Sequence, residues 1–437
     1  MSRTTFRWWF VLIVVAAGAW RVLYVLVAKY DEPVVGDQIY YSAQAVTIAN
    51  GSGFNEPFIP GEYAADHAPL TAVALAPVSW SNTDPYLAQR LAMAVYGTAV
   101  VAGVGVLARW LFDRWIALFA AGIAAVYANL WMNDGLMMSE TFAAAGVVAV
   151  LLAVYVYDMR RTAWLAVIGG ALVGLAGLAR AELLLLGPFV VVPMALIDRS
   201  GEGDPVPTTR RLQHVLLAGA AAVVVIAPWI GRNLVRFEET TLMSTQDGLT
   251  LIGANCPTTY RGPGIGFWDL NCADLVDVPA GLDQSQRSQR YRDAAFDYIG
   301  DNLDRVPAVL AARLGRGLSV WDTETMIEFN TNEGREPWAS RVGLWQYWLL
   351  APLAAYGWWR WPSTQRRWPV LVTAGVSVVV ILAFYGIPRF RIPAEIAVVL
   401  GAAVAIDALV QRVRRSSSSN SQAVTTSDPA GVTCTPS

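Results

Sequence analysis

The sequence has few charged residues and almost no lysine. Only 15% of its 437 residues are Asp, Glu, Lys or Arg, whereas soluble domains carry about 25%. Lys29 is the single lysine, so nearly all of the 32 basic residues are arginines. The low charge argues against an ordinary soluble domain. Any phosphate bound here would be held mainly by guanidinium groups, which suit bidentate recognition of oxygen atoms.

Several motifs that would indicate other chemistries are missing. The sequence has no Walker loop, no Ser-His-Asp set, no histidine cluster with metal-ligand spacing and no Asp-x-Asp pair. The stretch GPGIG at residues 262–266 follows no predicted strand, so nucleotide binding is not expected there. We therefore expect no cofactor and no metal site, and the missing Asp-x-Asp pair argues mildly against a divalent metal.

The apolar content is arranged in continuous runs. Hydrophobic residues make up 55% of the chain and the mean hydropathy is +0.41. A run of roughly 17 to 22 apolar residues is long enough to cross a bilayer as a helix. The predicted spans are residues 8–28, 86–108, 115–132, 139–157, 163–179, 183–198, 212–230, 342–361, 369–387 and 393–411. The sequence thus predicts an all-α polytopic membrane protein.

The arginines predict the orientation of the chain. They recur in the short links on alternate sides of the predicted spans, as the positive-inside rule requires. Both termini are then cytoplasmic, and the hydrophilic segments 29–85 and 231–341 lie outside the cell membrane. The predicted divisions are a transmembrane module at 1–230 that includes the outer loop 29–85, an extracytoplasmic region at 231–341, transmembrane helices at 342–411 and a disordered tail at 412–437.

Three outer segments are predicted to be helical. Residues 37–49 can form an amphipathic helix with Ile39, Ala43 and Val46 on one face. Residues 288–300 and 305–320 are predicted to follow in the second outer loop. The segment 305–320 has an apolar stripe punctuated by arginines, including Arg313 and Arg316, which suits a helix that rests on lipid headgroups.

The first outer loop carries polar residues that suit chemistry. Residues 36–70 read GDQIYYSAQAVTIANGSGFNEPFIPGEYAADHAPL. Asp37 begins a helix, so it has two interpretations: a helix cap, or a general base in a cleft. Asp66 and His67 could lie in a solvent-facing turn, or the acid could favour the charged form of the imidazole. The same loop carries the aromatic side chains of Tyr40, Tyr41 and Tyr63.

Further ionisable residues lie at the predicted outer ends of spans. Glu140 follows the short outer link NDGLMMS, where a helix N-terminus explains it equally well. Arg180 and Glu182 are expected to pair with each other. Arg232 could extend toward the membrane surface. Arg389 and Arg391 lie one residue apart in YGIPRFRIPAE, where they could form an anion site or pair with carboxylates of other loops such as Asp37 and Glu140.

The second outer loop contains two of the three cysteines. Cys256 and Cys272 lie in GANCPTTYRGPGIGFWDLNCA. On the oxidising side of a membrane such a pair forms a disulfide more often than not. We expect this bond to close a short loop and to stiffen it.

An ordered set of motifs resembles the GT-C superfamily of integral-membrane glycosyltransferases. G-D-x-x-Y-Y begins at residue 36, P-L follows at 69–70, S-E at 139–140, P-W-x-x-R-N at 228–233 and R-F-R-x-P at 389–393. Within that superfamily the sequence is most similar to the bacterial relatives of protein O-mannosyltransferases and of the lipid A aminoarabinose transferase. The resemblance covers about residues 8–411 and implies a GT-C fold with about 10–12 transmembrane helices, outer juxtamembrane helices and a small outer domain.

The resemblance also implies a function. It implies a polyprenyl-phosphate sugar donor, a glycan, lipid or protein acceptor, an outer-face active site and inversion at the sugar carbon, with no nucleic-acid partner. Asp37 matches the catalytic acidic residue of the first loop, and His67 stands where close relatives often have lysine or arginine. The positions associated with the cavity are Glu140, Arg232, Arg389 and Arg391. The aromatic side chains then available to stack on sugar rings are Tyr40, Tyr41 and Tyr63. The alternatives are a transporter or flippase, a ligase or polymerase of lipid-linked glycans, and a non-catalytic scaffold.

Overall fold

The protein is helical along the part of the chain that the structure describes. This computed structural model describes residues 1–80, 84–197 and 206–425. In the first half of the chain the helices are α1 Arg3–Ala28, α2 Asp37–Ala49, α3 Leu70–Leu75, α4 Pro85–Leu111, α5 Arg114–Val126, α6 Ala128–Trp131, α7 Glu140–Arg160, α8 Ala163–Ala179, α9 Val192–Leu196 and α10 Thr208–Arg236. In the second half they are α11 Asp247–Ala254, α12 Pro257–Tyr260, α13 Gln284–Asp301, α14 Val306–Gly317, α15 Thr323–Asn332, α16 Pro337–Trp359, α17 Trp368–Ala383 and α18 Ile392–Thr425.

The predicted membrane spans are helical, although they differ in length. Five helices are long and apolar enough to cross a membrane: α1, α4, α7, α10 and the segment Pro388–Arg415. A sixth span is formed if Arg114–Val126 and Ala128–Gly135 act together, with a bend of 56° between them. The apolar segments Ala163–Ala179, Ala181–Leu196 and Trp368–Ala383 are shorter. The chain is thus a multi-pass membrane protein.

Small residues allow two of these helices to approach closely. α8 packs along α10. A Cβ atom at Gly170 would lie 1.9 Å from the carbonyl oxygen of Ala218, and one at Gly174 would lie 2.8 Å from that of Ala222. Helices in a membrane associate mainly through such tight backbone contacts, because lipid offers no hydrophobic driving force between them.

The outer helices form where the sequence predicts them, but their buried faces differ from the prediction. α2 buries Gln38, Tyr41, Ser42 and Ala45, whereas Ile39 is exposed. The apolar face of α2 is therefore the outward one. Polar side chains of α2 can face inward because they form hydrogen bonds there. The hydroxyl group of Ser42, for example, donates to Gln89 Oε1 at 2.6 Å.

The arginines of α14 do not face lipid headgroups. Arg313 and Arg316 are buried. Arg313 donates to the carbonyl oxygens of Leu382 and Ala254 at 2.8 Å, and Arg316 donates to Asp322 at 2.6 Å. The expected headgroup contact is wrong for this pair, because their guanidinium groups bond carbonyl and carboxylate oxygens inside the protein.

Two further predictions can be compared with the structure. The disulfide between Cys256 and Cys272 is confirmed, with the two Cα atoms 6.0 Å apart. The last helix continues to Thr425, whereas the sequence predicts that it ends at residue 411. Since no Pro or Gly stands between Gly401 and Pro429, no residue there breaks the helix. Residues 426–437 of the predicted tail lie outside the described residues.

The only lysine ties the first span to the second outer loop. Lys29 has no exposed side-chain surface, and its Nζ lies 2.7 Å from Glu32 and 2.6 Å from Glu336. It also donates to the carbonyl oxygen of Gly334 at 2.7 Å. This contact holds residues 333–336 over the end of α1, where they reach the candidate site.

Candidate active site

The backbone at Gly36 directs the Asp37 carboxylate away from the helix that it begins. Gly36 has φ +61°, a conformation that favours glycine. Asp37 is the first residue of α2, and the start of α2 has no side-chain cap. The Asp37 carboxylate instead accepts a hydrogen bond from Arg389 Nη2, with 2.8 Å between Oδ2 and Nη2. The capping interpretation of Asp37 is therefore wrong.

Arg389 joins three carboxylates from distant parts of the chain. Besides Asp37, it contacts Glu140, with 3.0 Å between its Nε and Oε1. Its Nη1 also donates to Glu333, which lies in the second outer loop. Arg389 thus connects the first outer loop, the start of α7 and the end of α15.

Two more arginines surround Glu140. This carboxylate is almost completely buried, with 1% exposure of the residue. Arg335 and Arg180 lie 3.4 Å and 3.5 Å from its Oε1. Neither oxygen of Glu140 accepts a hydrogen bond within the described structure, and Nη1 of Arg180 likewise has no hydrogen-bond partner there. The arginines therefore contact Glu140 as ion pairs, without well-aligned hydrogen bonds.

These residues form what we call the outer charge cluster, after the side of the membrane that the arginine alternation predicts for it. Arg180 pairs with Glu182 at 2.6 Å, as the sequence predicts, and Arg335 also bonds Glu333. The cluster contains Asp37, Glu140, Arg180, Glu182, Glu333, Arg335 and Arg389. Four carboxylates face three guanidinium groups, so the formal charge is −1 when all are ionised. An additional anion would compete with these carboxylates for the arginines.

Asp37 is the most accessible carboxylate of the three that Arg389 contacts. Its side chain is 34% exposed, against 10% for Glu333 and 0% for Glu140. Burial disfavours its charged form, but Arg389, with help from His67 and Arg180, lowers the pKa of Asp37 to about 2. The carboxylate is thus ionised at neutral pH and open to an incoming group.

His67 lies beside Asp37 on a platform of tyrosines. Its Nε2 is 3.9 Å from Asp37 Oδ1. Its ring stacks on Tyr41 at 4.6 Å and meets the edge of Tyr40 at 5.2 Å. Burial lowers the pKa of His67; Asp37 acts in the opposite direction and Arg389 adds to the lowering. The imidazole is therefore neutral at pH 7, whereas one of the two interpretations of the sequence expected its charged form.

Asp66 faces away from His67 toward the second outer loop. Thr245 donates to its Oδ1 at 3.2 Å, and Ser244 donates to its carbonyl oxygen. Burial, reinforced by the charge of Glu56, raises the pKa of Asp66 to about 7. Asp66 therefore joins the two outer loops and does not position the imidazole.

Tyr63 and Arg232 lie together in a different group. Arg232 donates to the carbonyl oxygens of Phe54 and Ala64, and its guanidinium carbon lies 5.8 Å from the ring centre of Tyr63. Tyr63 also accepts a hydrogen bond from Arg236 at 2.8 Å. This pair supports the first outer loop, and no contact joins it to Asp37.

Arg391 points into the helix bundle. It is 2% exposed and bonds Glu395 at 2.6 Å. It also donates to Gly317 and Ser319 at 2.9 Å and lies over the ring of Tyr347. The structure thus brings together Asp37, His67, Glu140 and Arg389 but places Arg391 elsewhere.

Three residues near the site were not identified from the sequence. Glu333 and Arg335 come from the end of the second outer loop, where nothing in the pattern separates them from other surface charges. The ring of Tyr385 meets that of Phe390 edge-on, with 4.8 Å between the ring centres, and its phenol is close enough to Arg389 and Glu333 for their charges to act on it.

The described residues contain no group of three or more His, Cys, Asp or Glu side chains that could hold a metal ion. The carboxylates of the outer charge cluster are instead in contact with arginines. The arrangement can hold an anion and can accept a proton at Asp37.

Comparison with known proteins identifies the fold. No protein-family model and no curated protein matches the sequence. Among solved structures, the chain is similar to the oligosaccharyltransferase AglB from Archaeoglobus fulgidus in complex with an inhibitory peptide and a dolichol-phosphate. That match has a TM-score of 0.54 and 13% identity over 99% of this chain and 53% of that one. A second AglB structure, tethered to an acceptor peptide, gives a TM-score of 0.55 with 13% identity over 93% and 50% of the chains.

A third match is ArnT from Cupriavidus metallidurans bound to undecaprenyl phosphate, with 17% identity over 92% of this chain and 77% of that one. The TM-score of this match is 0.42, lower than those of the two oligosaccharyltransferase structures. The chain spans about half the length of the AglB structures that it matches. The GT-C fold that the sequence predicts is confirmed, and this protein is a multi-pass membrane protein with that fold.

Proposed function

We propose that the protein is an inverting glycosyltransferase that moves a sugar from a polyprenyl-phosphate donor to an acceptor hydroxyl group. Asp37 is the general base, and Arg389 and Arg180 hold the donor phosphate. The observation that carries the proposal is the contact between Asp37 and Arg389, because it joins a partly exposed proton acceptor to a group that can bind an anion.

The reaction needs one base and a stabilised leaving group. The acceptor oxygen attacks the anomeric carbon, and its proton passes to Asp37. The bond between that carbon and the phosphate oxygen breaks, and its electron pair leaves with the polyprenyl phosphate. Because the departing phosphate gains negative charge, guanidinium groups that contact it stabilise the transition state more than the bound donor.

The low pKa of Asp37 has to be reconciled with its role as a base. A carboxylate with a pKa of about 2 accepts a proton poorly at neutral pH. That low value depends on Arg389, which the donor phosphate would share. When the phosphate binds, Asp37 loses part of this interaction and gains a negative neighbour, and both changes raise its pKa. Donor binding would therefore make Asp37 a better base.

Arg180 is the second arginine in this proposal. It lies over the ring of Phe390, with 5.2 Å from its guanidinium carbon to the ring centre. Its Nη1 lies 3.5 Å from Glu140 and makes no hydrogen bond within the described structure, so the proposal assigns this donor group to a phosphate oxygen. Arg232 and Arg391 are not retained as phosphate ligands, since Arg232 bonds the backbone of the first outer loop and Arg391 bonds Glu395 inside the bundle, and neither contacts Asp37 among the described residues.

His67 and its tyrosines fit the sugar side of the recess. A neutral imidazole can donate one hydrogen bond to a hydroxyl group or to a phosphate oxygen without adding charge. Tyr40 and Tyr41 hold the ring in place. Glu140 keeps the three arginines together and has almost no exposed surface, so we assign it to their positioning and not to contact with the acceptor.

The proposed setting is the outer face of the cell membrane. The arginine alternation supports this setting, with residues 29–85 and 231–341 outside and both termini in the cytoplasm. The acceptor would be a glycan, a lipid or a protein that reaches this face. Within the proposal, a transporter or a scaffold would not require the carboxylate of Asp37, and a ligase or polymerase would use a different donor.

A donor-consumption assay tests the proposal. Purified protein is incubated with a panel of polyprenyl-phosphate sugars, and the release of polyprenyl phosphate is measured with and without a membrane extract as the source of acceptor. We expect release from at least one donor, dependent on the extract. The absence of release from every donor, in protein that still binds polyprenyl phosphate, would favour a transporter or a scaffold.

A further inference from the structure

A large cavity opens at the end of the helix bundle that lies opposite to the outer charge cluster. Its volume is about 670 Å³. It is bounded by the junction of α4 and α5, the end of α16 and the far half of α18. Asp407, which lines it, follows the start of α18 at Ile392 by 15 residues, which corresponds to roughly 22 Å along a helix axis. The cavity is therefore separate from the candidate active site.

The cavity has an apolar floor that the bundle keeps in place. Leu111, Phe112, Ile116 and Val404 line it, and each is less than a tenth exposed. The ring of Phe112 meets the edge of Trp361 at 4.7 Å. The floor belongs to the main hydrophobic core, so it exists without a ligand.

The rim of the cavity is basic. Arg360, Arg412 and Arg415 line it together with Asp113 and Asp407, so the formal charge is +1 when all five are ionised. Three guanidinium groups at the mouth of a cavity suit an anion with several oxygen atoms.

Both aspartates of the rim are already engaged. Asp113 caps α5 by accepting hydrogen bonds from the backbone N–H groups of Trp115 and Ile116 at 2.7 Å and 3.1 Å. Asp407 accepts from Gln411 at 2.6 Å. Arg360 makes a ring contact with Trp359 at 6.0 Å and no carboxylate contact within the described structure. Its guanidinium group is therefore available.

We propose that this cavity binds the headgroup of an anionic phospholipid from the adjacent leaflet. The phosphate would lie at the arginine rim and the glycerol and first acyl carbons over the apolar floor. Basic pockets between transmembrane helices bind such headgroups in other proteins. A free phosphate ion would use the rim but would leave the apolar floor exposed.

The position of the cavity suits a lipid ligand. Tyr356 lines it, and the neighbouring Trp359 is 71% exposed. Aromatic side chains of this kind concentrate at the boundary between hydrocarbon and headgroups. The predicted apolar span ends at residue 411, and Arg412 and Arg415 follow directly. The rim thus lies at the depth where lipid phosphates are found.

Native mass spectrometry can test this site on the full-length protein. Delipidated protein is titrated with phosphatidylglycerol and with phosphatidylcholine of the same acyl chains. The variants are Arg360→Gln and Arg412→Gln, both at exposed positions. Arg7→Gln is the matched control, because Arg7 is an exposed arginine that does not line the cavity. It lies at the same end of the bundle, since the nearby Met1 carbonyl accepts a hydrogen bond from Arg114 at the start of α5.

We expect wild type and the Arg7 variant to retain one phosphatidylglycerol in preference to phosphatidylcholine. Each cavity variant should lose about tenfold in phosphatidylglycerol affinity, the effect expected from one charge-assisted hydrogen bond. Equal binding of the two lipids, or cavity variants that match the Arg7 variant, would overturn the proposal. Displacement of the lipid by millimolar inorganic phosphate would instead identify a site for a small anion.

Discussion

Arg389 donates a hydrogen bond to Asp37 across 352 positions of the chain, with 2.8 Å between Nη2 and Oδ2. The same guanidinium group contacts Glu140 and Glu333. One arginine therefore holds the first outer loop, the start of α7 and the second outer loop at one point. In the proposed reaction that arginine has a second role, since the donor phosphate would compete for it.

Replacing Arg389 and Arg391 separately by lysine distinguishes an arginine that binds the donor from one that only stabilises the fold. Arg389→Lys keeps the positive charge but loses the planar guanidinium group that can make two parallel hydrogen bonds to a phosphate. Affinity for polyprenyl phosphate should therefore fall by about tenfold or more, which corresponds to roughly 1.5–3 kcal/mol. Arg391→Lys is the matched control, because its side chain is held by Glu395 inside the bundle. That variant should lower the thermal midpoint and leave lipid affinity unchanged. Weaker lipid binding by the Arg391 variant alone would reverse the assignment.

Asp66 should make stability depend on pH. Its folded-state pKa of about 7 lies above its ordinary value near 4. The folded protein therefore holds this proton more tightly than the unfolded chain, and stability should fall as pH rises from about 4 to 7. We expect wild type to have a lower thermal midpoint at pH 8 than at pH 5.5, and Asp66→Asn to show a smaller difference. An unchanged difference in the variant would contradict the prediction.

Lys29 should be essential for the position of the second outer loop. Lys29→Met leaves the partly exposed Glu32 and Glu336 without their partner, and loss of a hydrogen bond to a charged group costs about 1.5–3 kcal/mol. Unfolding in detergent should show this loss. The double variant with Glu336→Gln should recover part of it, because one unpaired charge is then removed. A single variant as stable as wild type would show that the contact contributes little.

The orientation can be tested by labelling introduced cysteines in intact cells. Leu275→Cys lies in the second outer loop at a position that is 67% exposed. A membrane-impermeant maleimide should label it without permeabilisation. Ser363→Cys, in the exposed link between α16 and α17, is the matched control and should be labelled only after permeabilisation. The reverse pattern would place the outer charge cluster in the cytoplasm.

The helices and Asp37 were predictable from the sequence because both depend on local pattern. Apolar runs determine where helices can cross the bilayer, and Asp37 lies in a recognisable motif after the first run. Glu333 and Arg335, which contact Arg389 and Glu140, were not predictable in this way, since they reach the site only through the packing of the second outer loop. Lys29 contributes to that packing.

Arg389 and Arg391 show why adjacent residues need a structure to be told apart. Both lie on the 3₁₀ turn Pro388–Arg391. With three residues per turn, positions two apart differ by about 240° around the axis. One guanidinium group therefore faces the outer loops and the other faces Glu395 in the bundle. Sequence position alone gave both arginines the same predicted role.

The most direct test of the account compares wild type with Asp37→Asn. The substitution removes the proton acceptor but keeps the size of the side chain. A positioned base contributes about 10²- to 10⁴-fold, so release of polyprenyl phosphate from the active donor should fall by that factor while donor affinity is retained. Asp37→Glu, which keeps the carboxylate, should recover part of the rate. Wild-type turnover in the Asn variant would contradict the assignment of Asp37 as the general base.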